Sequence, residues 1–467
     1  MTEATTHKAP TPSLRVMLVP LALAQFICSF AGSNMNVMIN DISTDLHTTV
    51  QGVQVCITIF LLVMAALMIP CGKLTDRFGR KPLFRIGLLV YGVGALLSAL
   101  APGLGVLILG NSILEGVGTA LLIPPVYILT TLLFTDLKSR AWAFGVISAM
   151  GGIGAAMGPL IGGVITTTIT WRAAFVFQAL VIVAIVIMAR RLVDPVPPDP
   201  TRPFDVVGAI LSAAGLVILV GGIMAADQSV VLMVALMVLG VLVLGGFFVW
   251  IRRREREGRE ALLSTSLFHN RTSNLALITQ NVQWAILLGT SFTVAAYLQV
   301  VRRYDAIQTG VIFTAATAGV LLSSLAARPL ARRFHQRTLI IGGFVITLAG
   351  IVVLLVLVKG HPGAWYFAPG LFLIGTGLGL MLTPSVNVVQ SSFPERLQGE
   401  ISGLSRSISN LGSSLGTAVA GTILVAGLAD PKRSYGIAMI ALGVMGLIGL
   451  GATFLLPRAD PVPPSDS

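Results

Sequence analysis

The chain has 467 residues, of which 55% are hydrophobic and 11% are charged, and its mean hydropathy is +0.89. A soluble domain carries about 25% charged residues, so this composition excludes a water-soluble protein, because the polar exterior that such a fold needs is missing. The 50 glycines follow no three-residue period, which also excludes a collagen-like chain. The sequence therefore predicts a polytopic membrane protein.

The net charge of the chain is +12, from 31 Lys and Arg residues against 19 Asp and Glu residues. Basic residues of membrane proteins collect in cytoplasmic loops, so this charge predicts membrane orientation rather than nucleic-acid binding. The cysteines lie in apolar runs and the five histidines lie in tails and loops, so we expect no disulfide framework, no metal site and no cofactor. The three cysteines are Cys28, Cys56 and Cys71.

Fourteen stretches of the chain reach the length of about 20 apolar residues that a helix needs to cross a bilayer. They lie near residues 15–40, 51–71, 83–101, 104–133, 141–167, 173–190, 206–226, 229–250, 274–300, 308–328, 338–358, 365–389, 402–427 and 435–457. An even number of spans puts both termini on one side of the membrane. With that side cytoplasmic, only six of the 31 basic residues lie outside, so the positive-inside rule favours cytoplasmic termini. The six are Arg172, Arg302, Arg303, Lys359, Lys432 and Arg433.

Two linkers divide the predicted spans. Residues 193–204 are rich in proline and are predicted to leave the membrane as an extended segment. The run RRREREGRE, which begins at Arg252, alternates in charge and predicts a short helix at the inner surface. The predicted organisation is a cytoplasmic tail (1–14), a six-helix bundle (15–192), a linker with two additional spans near 206–226 and 229–250 (193–273), a second six-helix bundle (274–457) and a cytoplasmic tail (458–467).

An internal repeat relates the two predicted bundles. The Leu, Gly and Pro pattern of residues 114–125 recurs in residues 373–384, at an offset of 259. Four glycines of the next span recur at an offset of 258, and residues 74–78 resemble residues 330–334 at an offset of 256. Parallel repeats of six spans are an established transporter architecture, with the substrate site between the halves. The repeat predicts that architecture here.

The segment between spans two and three reads GKLTDRFGRK over residues 72–81 and is expected to form a cytoplasmic loop. Gly72 predicts a close helix approach and Gly79 a tight turn. The carboxylate of Asp76, among five basic residues, is expected to pair with an arginine or a helix N-terminus in one arrangement of the bundle. A plain positive-inside anchor is the alternative. The candidate residues are Gly72, Asp76, Arg77, Gly79 and Arg80.

The fifth span contains the string GAAMGPLIGG at residues 154–163. Glycines four residues apart form a smooth helix face for close packing, and Pro159 is predicted to bend the helix because it frees a backbone carbonyl. Ordinary small-residue packing is the alternative to a role in transport. The candidate residues are Gly154, Gly158, Pro159, Gly162 and Gly163.

These motifs, with Trp171-Arg172 after the fifth span and LFHNRT before the ninth, resemble the fourteen-span drug:proton antiporter family of the major facilitator superfamily. The resemblance covers essentially the whole chain. It implies a latch role for the first motif and an exporter role for the second. It also implies export of amphipathic, often cationic, compounds in exchange for protons, by rocking of two six-helix bundles. The chain departs from the family at two positions linked to proton handling, where it has Ala31 for an Asp and Ser112 for an Arg.

Two acidic residues are candidates for coupling transport to protons or substrate. Glu115 lies well inside the fourth span, and Asp41 lies at the outer end of the first. A carboxyl group at membrane depth is costly and indicates a function. Glu115 is expected to carry a proton reversibly or to bind a cationic substrate. A permanently protonated Glu115 that hydrogen-bonds to a neighbouring helix is the structural alternative.

Arg406, in the first turns of the thirteenth span, is a candidate partner of a cytoplasmic gate or of Glu400. Snorkelling of its side chain to the inner headgroups is the alternative. Several amides and one indole are candidates for the lining of a cavity, although amides inside helices often serve packing instead. They are Gln25, Asn34, Asn36, Asn111, Gln280, Gln283, Trp284 and Asn387.

The function that the sequence favours is a secondary active exporter of small amphipathic or cationic compounds in the cell membrane. Its expected partners are the substrate, protons and the lipid bilayer. A membrane enzyme would need clustered His, Asp or Ser residues at one face, and the histidines of this chain are scattered. ATP is not expected as the direct energy source, because no G-x-x-x-x-G-K-[ST] loop is present. A non-transporting sensor, and an exporter of a lipid or metabolite without proton coupling at Glu115, stay open as alternatives.

Overall fold

A computed structural model of the chain describes residues 14–134, 136–201, 203–331, 333–360, 363–394, 397–426 and 431–458. The regular structure of these residues is helical, as predicted. The α-helices in this part of the chain are α1 (Leu14–Asn34), α2 (Ile39–Asp45), α3 (Val50–Phe78), α4 (Arg80–Ala99), α5 (Leu104–Leu107), α6 (Gly116–Leu133), α7 (Leu137–Thr168), α8 (Trp171–Ala189), α9 (Val206–Met224), α10 (Val230–Arg256), α11 (Arg271–Ala296), α12 (Ala306–Ala331), α13 (Gln336–Gly360), α14 (Ala368–Ser391), α15 (Gln398–Ala426) and α16 (Pro431–Phe454). The predicted tails, 1–14 and 458–467, lie almost entirely outside the described residues.

Twelve helical segments of the described chain are long and apolar enough to cross a membrane. Helix α7 consists of two apolar parts that meet at 41° and together would make a thirteenth span. The bend lies about one turn before Pro159, whose ring removes a helical hydrogen bond, as predicted. Helix α15 has the length of a span, but its serine-rich sequence is less apolar. The total of fourteen spans therefore stays a prediction.

Three spans depart locally from the α-helix, which sequence analysis did not predict. A 3₁₀ turn, Met35–Val37, separates α1 from α2. A π-helical segment, Ile108–Glu115, joins α5 to α6, and a second, Tyr297–Val301, ends α11. Short π-helical segments are frequent at functional sites, and these two carry Glu115 and Gln299.

The motif at residues 72–81 is almost entirely helical, which corrects the prediction of a loop. Helix α3 continues to Phe78 and α4 begins at Arg80, so that Gly79 alone separates them. The φ angle of Gly79 is 88°, in the left-handed region that glycine tolerates without steric cost, so the predicted turn is present.

The described part of the proline-rich linker contains no helix, whereas the second linker differs from the prediction. The proline-rich segment that follows α8 lies against the protein, because Asp194 Oδ2 accepts hydrogen bonds from the backbone N–H groups of Arg80 (2.9 Å) and Lys81 (3.3 Å). No separate surface helix begins at Arg252 among the described residues. Helix α10 continues to Arg256, and the basic run forms its last turns.

The two additional spans form a hairpin that packs on the rest of the protein through α9. A small apolar cluster joins α9 to α3 and α15, and it consists of Leu62, Ala65, Val220, Leu411 and Ala418. Helix α9 therefore covers the line along which α3 and α15 meet. Helix α10 is largely exposed, as a lipid-facing helix is, with Val231 at 79% and Leu242 at 66% exposure.

Candidate functional site

Helices α3 and α15 lie antiparallel over their length and join the two halves of the chain. The contact pairs along them are Lys73–Glu400, Ala65–Ser407, Thr58–Ser414 and Gln54–Ala418. The first is an ion pair of 2.8 Å, and we call this end of the molecule the Lys73 end. In the next two pairs a serine hydroxyl of α15 donates to a backbone carbonyl of α3. A seven-residue spacing of contacts keeps one helix face on the other, and we call this contact the α3–α15 seam.

Helices α7 and α12 meet near the opposite end of the molecule, which we call the Gln299 end. Here Gly163 packs against Ala306, Pro159 against Gly310, and Thr167 Oγ1 accepts a hydrogen bond from the backbone N–H of Ile307 at 3.1 Å. We call this contact the α7–α12 seam. The α7–α12 seam is the repeat counterpart of the α3–α15 seam. Gly421 lies 258 residues after Gly163, and it packs on Gln54 of α3 at this end. The structure thus places repeat-related surfaces at the two seams.

Gln299 holds the two halves together at the Gln299 end. Its Nε2 donates to the carbonyl of Asn36 at 2.7 Å, and its Oε1 accepts from the backbone N–H of Asn40 at 3.1 Å. The side chain is buried. The 3₁₀ turn after α1 and the π-helical end of α11 present these groups, and sequence analysis did not single out Gln299.

Glu115 lies at the end of the first π-helical segment, and its side chain is fully buried. Oε2 accepts a hydrogen bond from Asn111 Nδ2 at 3.3 Å, and no described residue donates to Oε1. The hydroxyl-bearing residues Tyr91 and Ser98 of α4 are further polar neighbours of the carboxyl group. The structure therefore places Glu115 in an enclosed polar pocket with an incomplete hydrogen-bond set.

The helices around this pocket belong to the first half of the chain. Ser112 Oγ donates to the carbonyl of Cys56 on α3 at 2.7 Å and lies 3.0 Å from its Sγ. On the other side, the Tyr91 hydroxyl donates to Gln178 Oε1 of α8 at 2.5 Å. Glu115 is thus enclosed by α3, α4 and α8 rather than facing the space between the halves.

Arg406 lies two turns into α15 and reaches the other half of the chain. Its guanidinium donates a hydrogen bond to the Tyr127 hydroxyl of α6 and lies 4.8 Å from the centroid of the Tyr127 ring. Tyr127 stacks on Phe144 of α7, with ring centroids 5.9 Å apart and planes at 24°. Among the described residues Arg406 has no ion pair with Glu400, the partner that the sequence suggested, because Glu400 pairs with Lys73.

The candidate cavity residues lie in different surroundings. Gln25, Asn34, Asn36, Asn111, Gln280 and Gln283 are buried, Trp284 is partly buried and Asn387 is exposed. Two of them contact neighbouring helices in their own half, since Gln283 Nε2 donates to the Ser385 hydroxyl and Gln280 Oε1 accepts from the Ser405 hydroxyl. Such bonds fit the packing role that amides often serve inside helices.

Two acidic residues of the Gln299 end have perturbed pKa values. Partial burial, and to a smaller degree the charge of Asp305, raise the pKa of Asp41 above its ordinary range. A hydrogen bond from the Arg172 guanidinium lowers the pKa of Asp45. Asp41 lies on α2, beyond the apolar span, and not at the end of a continuous first helix as predicted.

The sequence profile of the Major Facilitator Superfamily matches residues 21–417. The chain belongs to this superfamily. It is 30% identical to the puromycin resistance protein pur8 of Streptomyces alboniger, over 93% of this chain and 86% of that protein. It is 27% identical to the multidrug efflux pump LfrA of Mycolicibacterium smegmatis, over 90% of this chain and 82% of that one. The family predicted from the sequence is thereby confirmed.

A solved structure supports the same fold. The crystal structure of the peptide transporter POT in complex with sulfate aligns with a TM-score of 0.70 and 17% identity, covering 95% of this chain and 96% of that chain. The superfamily match and the efflux relatives make the chain a transporter of small molecules rather than an enzyme. As a multi-span member of this superfamily it is a plasma-membrane protein.

The residues of the superfamily's loop motif lie at the Lys73 end. Gly72 faces Pro124 of α6, and the Arg77 guanidinium lies 5.5 Å from the centroid of the Phe78 ring. The side chain of Asp76 lies outside the described residues. Arg80 is buried, and its backbone N–H, at the start of α4, is capped by the Asp194 carboxylate. Asp194 is not among the predicted site residues, since an acidic residue in a proline-rich linker carries no local signal of its distant partner.

The glycines and the proline of residues 154–163 divide between two partners. Gly154, Gly158 and Gly162 face α1, at Phe26, Ser33 and Asn34. Pro159 and Gly163 face α12 in the other half of the superfamily fold. The predicted close packing is therefore present, and it includes the contact between the halves.

Proposed function

We propose that this superfamily member exports small amphipathic compounds in exchange for protons by alternating access, with Glu115 as the proton carrier. The observation that carries this proposal is the enclosed carboxyl group of Glu115, which has one hydrogen-bond donor and one oxygen without a described partner. The family resemblance also implies cationic substrates. They are one class of compound within this proposal, and ethidium tests them below.

The cost of burying a charge links Glu115 to the proton. An ionised carboxylate enclosed with a single donor is strongly disfavoured, whereas the neutral acid is not. The charge of Glu115 therefore depends on whether the pocket is closed, as here, or open to water. A group with this property takes up a proton in one conformation and releases it in the other, which is what antiport needs.

Helix α3 links the Glu115 pocket to the seam between the halves. Cys56 contacts Ser112 beside Glu115, and Thr58, two residues further along α3, accepts the hydrogen bond of Ser414 from the other half. Rearrangement of the α3–α15 seam therefore moves a wall of the pocket. This direct connection couples the proton of Glu115 to the relative position of the halves.

Alternating access needs contacts between the halves that form and break at opposite ends. Gln299 and the α7–α12 seam close the Gln299 end here, and the Lys73–Glu400 ion pair joins the halves at the other end. We assign the Lys73 end to the cytoplasm, following the distribution of basic residues. The two bundles, near 15–192 and 274–457, are the rocking units of this proposal.

The test uses proteoliposomes with an imposed pH gradient and three probes: ethidium, puromycin and 9-anthracenecarboxylate. We expect gradient-driven transport of at least one probe by the wild type. Glu115→Gln is expected to lower gradient-driven transport at least tenfold and to keep exchange of probe without a gradient. Glu257→Gln, at an exposed surface position, is the matched control and is expected to behave as the wild type.

Two results would contradict the proposal. Gradient-driven transport at the wild-type rate by Glu115→Gln would remove Glu115 as the proton carrier and favour a lipid or metabolite exporter with another coupling group. Failure of the wild type to transport any of the three probes would overturn amphipathic export.

A further inference from the structure

Arg406 is a cation two turns into α15, and no described carboxylate forms an ion pair with it. It lies six residues beyond Glu400 on α15, which is about 9 Å along the helix axis. The carboxylate of Glu400 pairs with Lys73 and accepts a hydrogen bond from the backbone N–H of Ser264 at 2.9 Å. The carboxyl group of Glu115 is enclosed in its own pocket. Among the described residues the polar partner of the Arg406 guanidinium is the neutral Tyr127 hydroxyl.

The surroundings of Arg406 are aromatic. The guanidinium lies over the Tyr127 ring at 4.8 Å, and Tyr127 stacks on Phe144 with centroids 5.9 Å apart. All three side chains are partly exposed, so they are open to a ligand, unlike Glu115. A flat ring stacks on such an aromatic pair, and a guanidinium binds a carboxylate in a bidentate fork.

The α7–α12 seam gives access to this place. On α7, the space beside Gly152 is open to 4 Å, although Gly152 lies on the helix face that carries Pro159. On α12, Leu321 is 40% and Leu325 is 74% exposed, on the face that carries Gly310. Helices α7 and α12 are therefore in contact at the Gln299 end and separate toward the Lys73 end.

The α3–α15 seam, which α9 also covers, differs from the α7–α12 seam at this depth. Ala149 and Leu321 are exposed, whereas their repeat counterparts on the α3–α15 seam, Ser407 and Ala65, are buried and hydrogen-bonded to each other. The exposed residues Leu321 and Leu325 are apolar, and Phe144 lies on the same helix, α7, as Gly152.

We propose that Arg406, Tyr127 and Phe144 form a recognition site for planar aromatic compounds that carry an acidic group, reached through the opening between α7 and α12. Arg406 binds the acidic group and the two rings stack on the aromatic part. The inference deepens the proposed export function, on which it rests, by naming a substrate class. An acidic ligand supplies the negative charge that a cation in this position lacks.

The test measures binding to the purified full-length protein by fluorescence polarisation, with 9-anthracenecarboxylate and 9-(aminomethyl)anthracene as a pair matched in ring system and opposite in charge. The wild type is expected to bind the acid at least tenfold more tightly than the amine. Arg406→Gln is expected to abolish this preference, and Arg406→Lys, which keeps the charge without the planar fork, to retain part of it. Arg253→Gln, at an exposed position on the same side, is the control for loss of one positive charge.

Equal or weaker binding of the acid by the wild type would overturn the inference, as would unchanged acid binding by Arg406→Gln or an equal loss in Arg253→Gln. If Arg406→Gln fails to fold, the binding of Arg406→Lys tests the inference instead. A preference of Arg406→Lys for the acid equal to that of the wild type would exclude a site that depends on the guanidinium fork. Arg406-dependent binding by a protein that transports none of the probes would overturn the proposed export and keep this site. Gradient-driven transport that requires Glu115, in a protein without Arg406-dependent binding, would keep the proposed export and overturn this site.

Discussion

Replacement of Gln299 by Ala is expected to open the Gln299 end of the transporter. The substitution removes two hydrogen bonds between the halves, one to the carbonyl of Asn36 and one from the backbone N–H of Asn40. A buried hydrogen bond contributes about 0.5–1.5 kcal/mol net, so the closed arrangement loses about 1–3 kcal/mol. This corresponds to a factor of about 5–150 in the equilibrium between closed and open forms at that end.

The assay measures the accessibility of a buried position beside these bonds. Met38 lies between Asn36 and Asn40 and is fully buried, so Met38→Cys reports on opening. The labelling rate of Met38→Cys by a membrane-impermeant maleimide is measured with and without Gln299→Ala. The native cysteines are buried, and the parent without Met38→Cys gives their background. The rate is expected to rise in proportion to the population of the open form.

Gln308 provides a matched control at the same end. Its side chain accepts a hydrogen bond from the backbone N–H of Asp305, within its own half, so Gln308→Ala removes an amide without breaking a described contact between the halves. The reasoning is refuted if Gln299→Ala leaves the labelling rate of Met38→Cys unchanged, or if Gln308→Ala raises it as much.

Two further predictions concern the same end. Because its pKa is lowered in the folded protein, Asp45 stabilises the fold above its unfolded pKa, and this contribution is lost as the pH falls through the folded value. The Asp45–Arg172 pair is largely exposed, so the contribution is below about 1 kcal/mol. Thermal unfolding in detergent between pH 7 and pH 3 is expected to show a smaller loss of stability for Asp45→Asn than for wild type, and parallel curves would contradict this. Gly163→Val places side-chain atoms against the Ala306 carbonyl and is expected to lower transport at least tenfold, whereas Gly245→Val, with open space beside it on the exposed helix α10, is expected to keep wild-type transport. Equal transport by both variants would show that the α7–α12 contact is not needed.

Features with a local physical cause were predictable from the sequence. Apolar length marked most of the spans, Pro159 marked the bend of α7, and Gly79 marked the turn between α3 and α4. The depth of Glu115 followed from its place in an apolar run, because a lone carboxyl group stands out there. The same local reasoning predicted a loop at 72–81 where the structure is helical, because charged residues at a membrane surface favour helix and loop alike.

Contacts between distant parts of the chain were not predictable in this way. Ser407 and Ser414 bond to carbonyls of α3, and the only trace in the sequence is their seven-residue spacing. Gln299 and Asp194 find their partners through the fold, more than 100 residues away, and no local pattern indicates them. The cation–aromatic contact of Arg406 with Tyr127 likewise depends on the apposition of two helices from different halves.

The contact of Gln299 with the other half has a consequence for which substitutions the chain tolerates. Both of its hydrogen bonds end on backbone groups, the carbonyl of Asn36 and the N–H of Asn40. Every residue carries such groups, apart from proline, which has no backbone N–H. This contact therefore constrains position 299 to an amide of the length of glutamine, and it leaves the side chains at positions 36 and 40 free to vary.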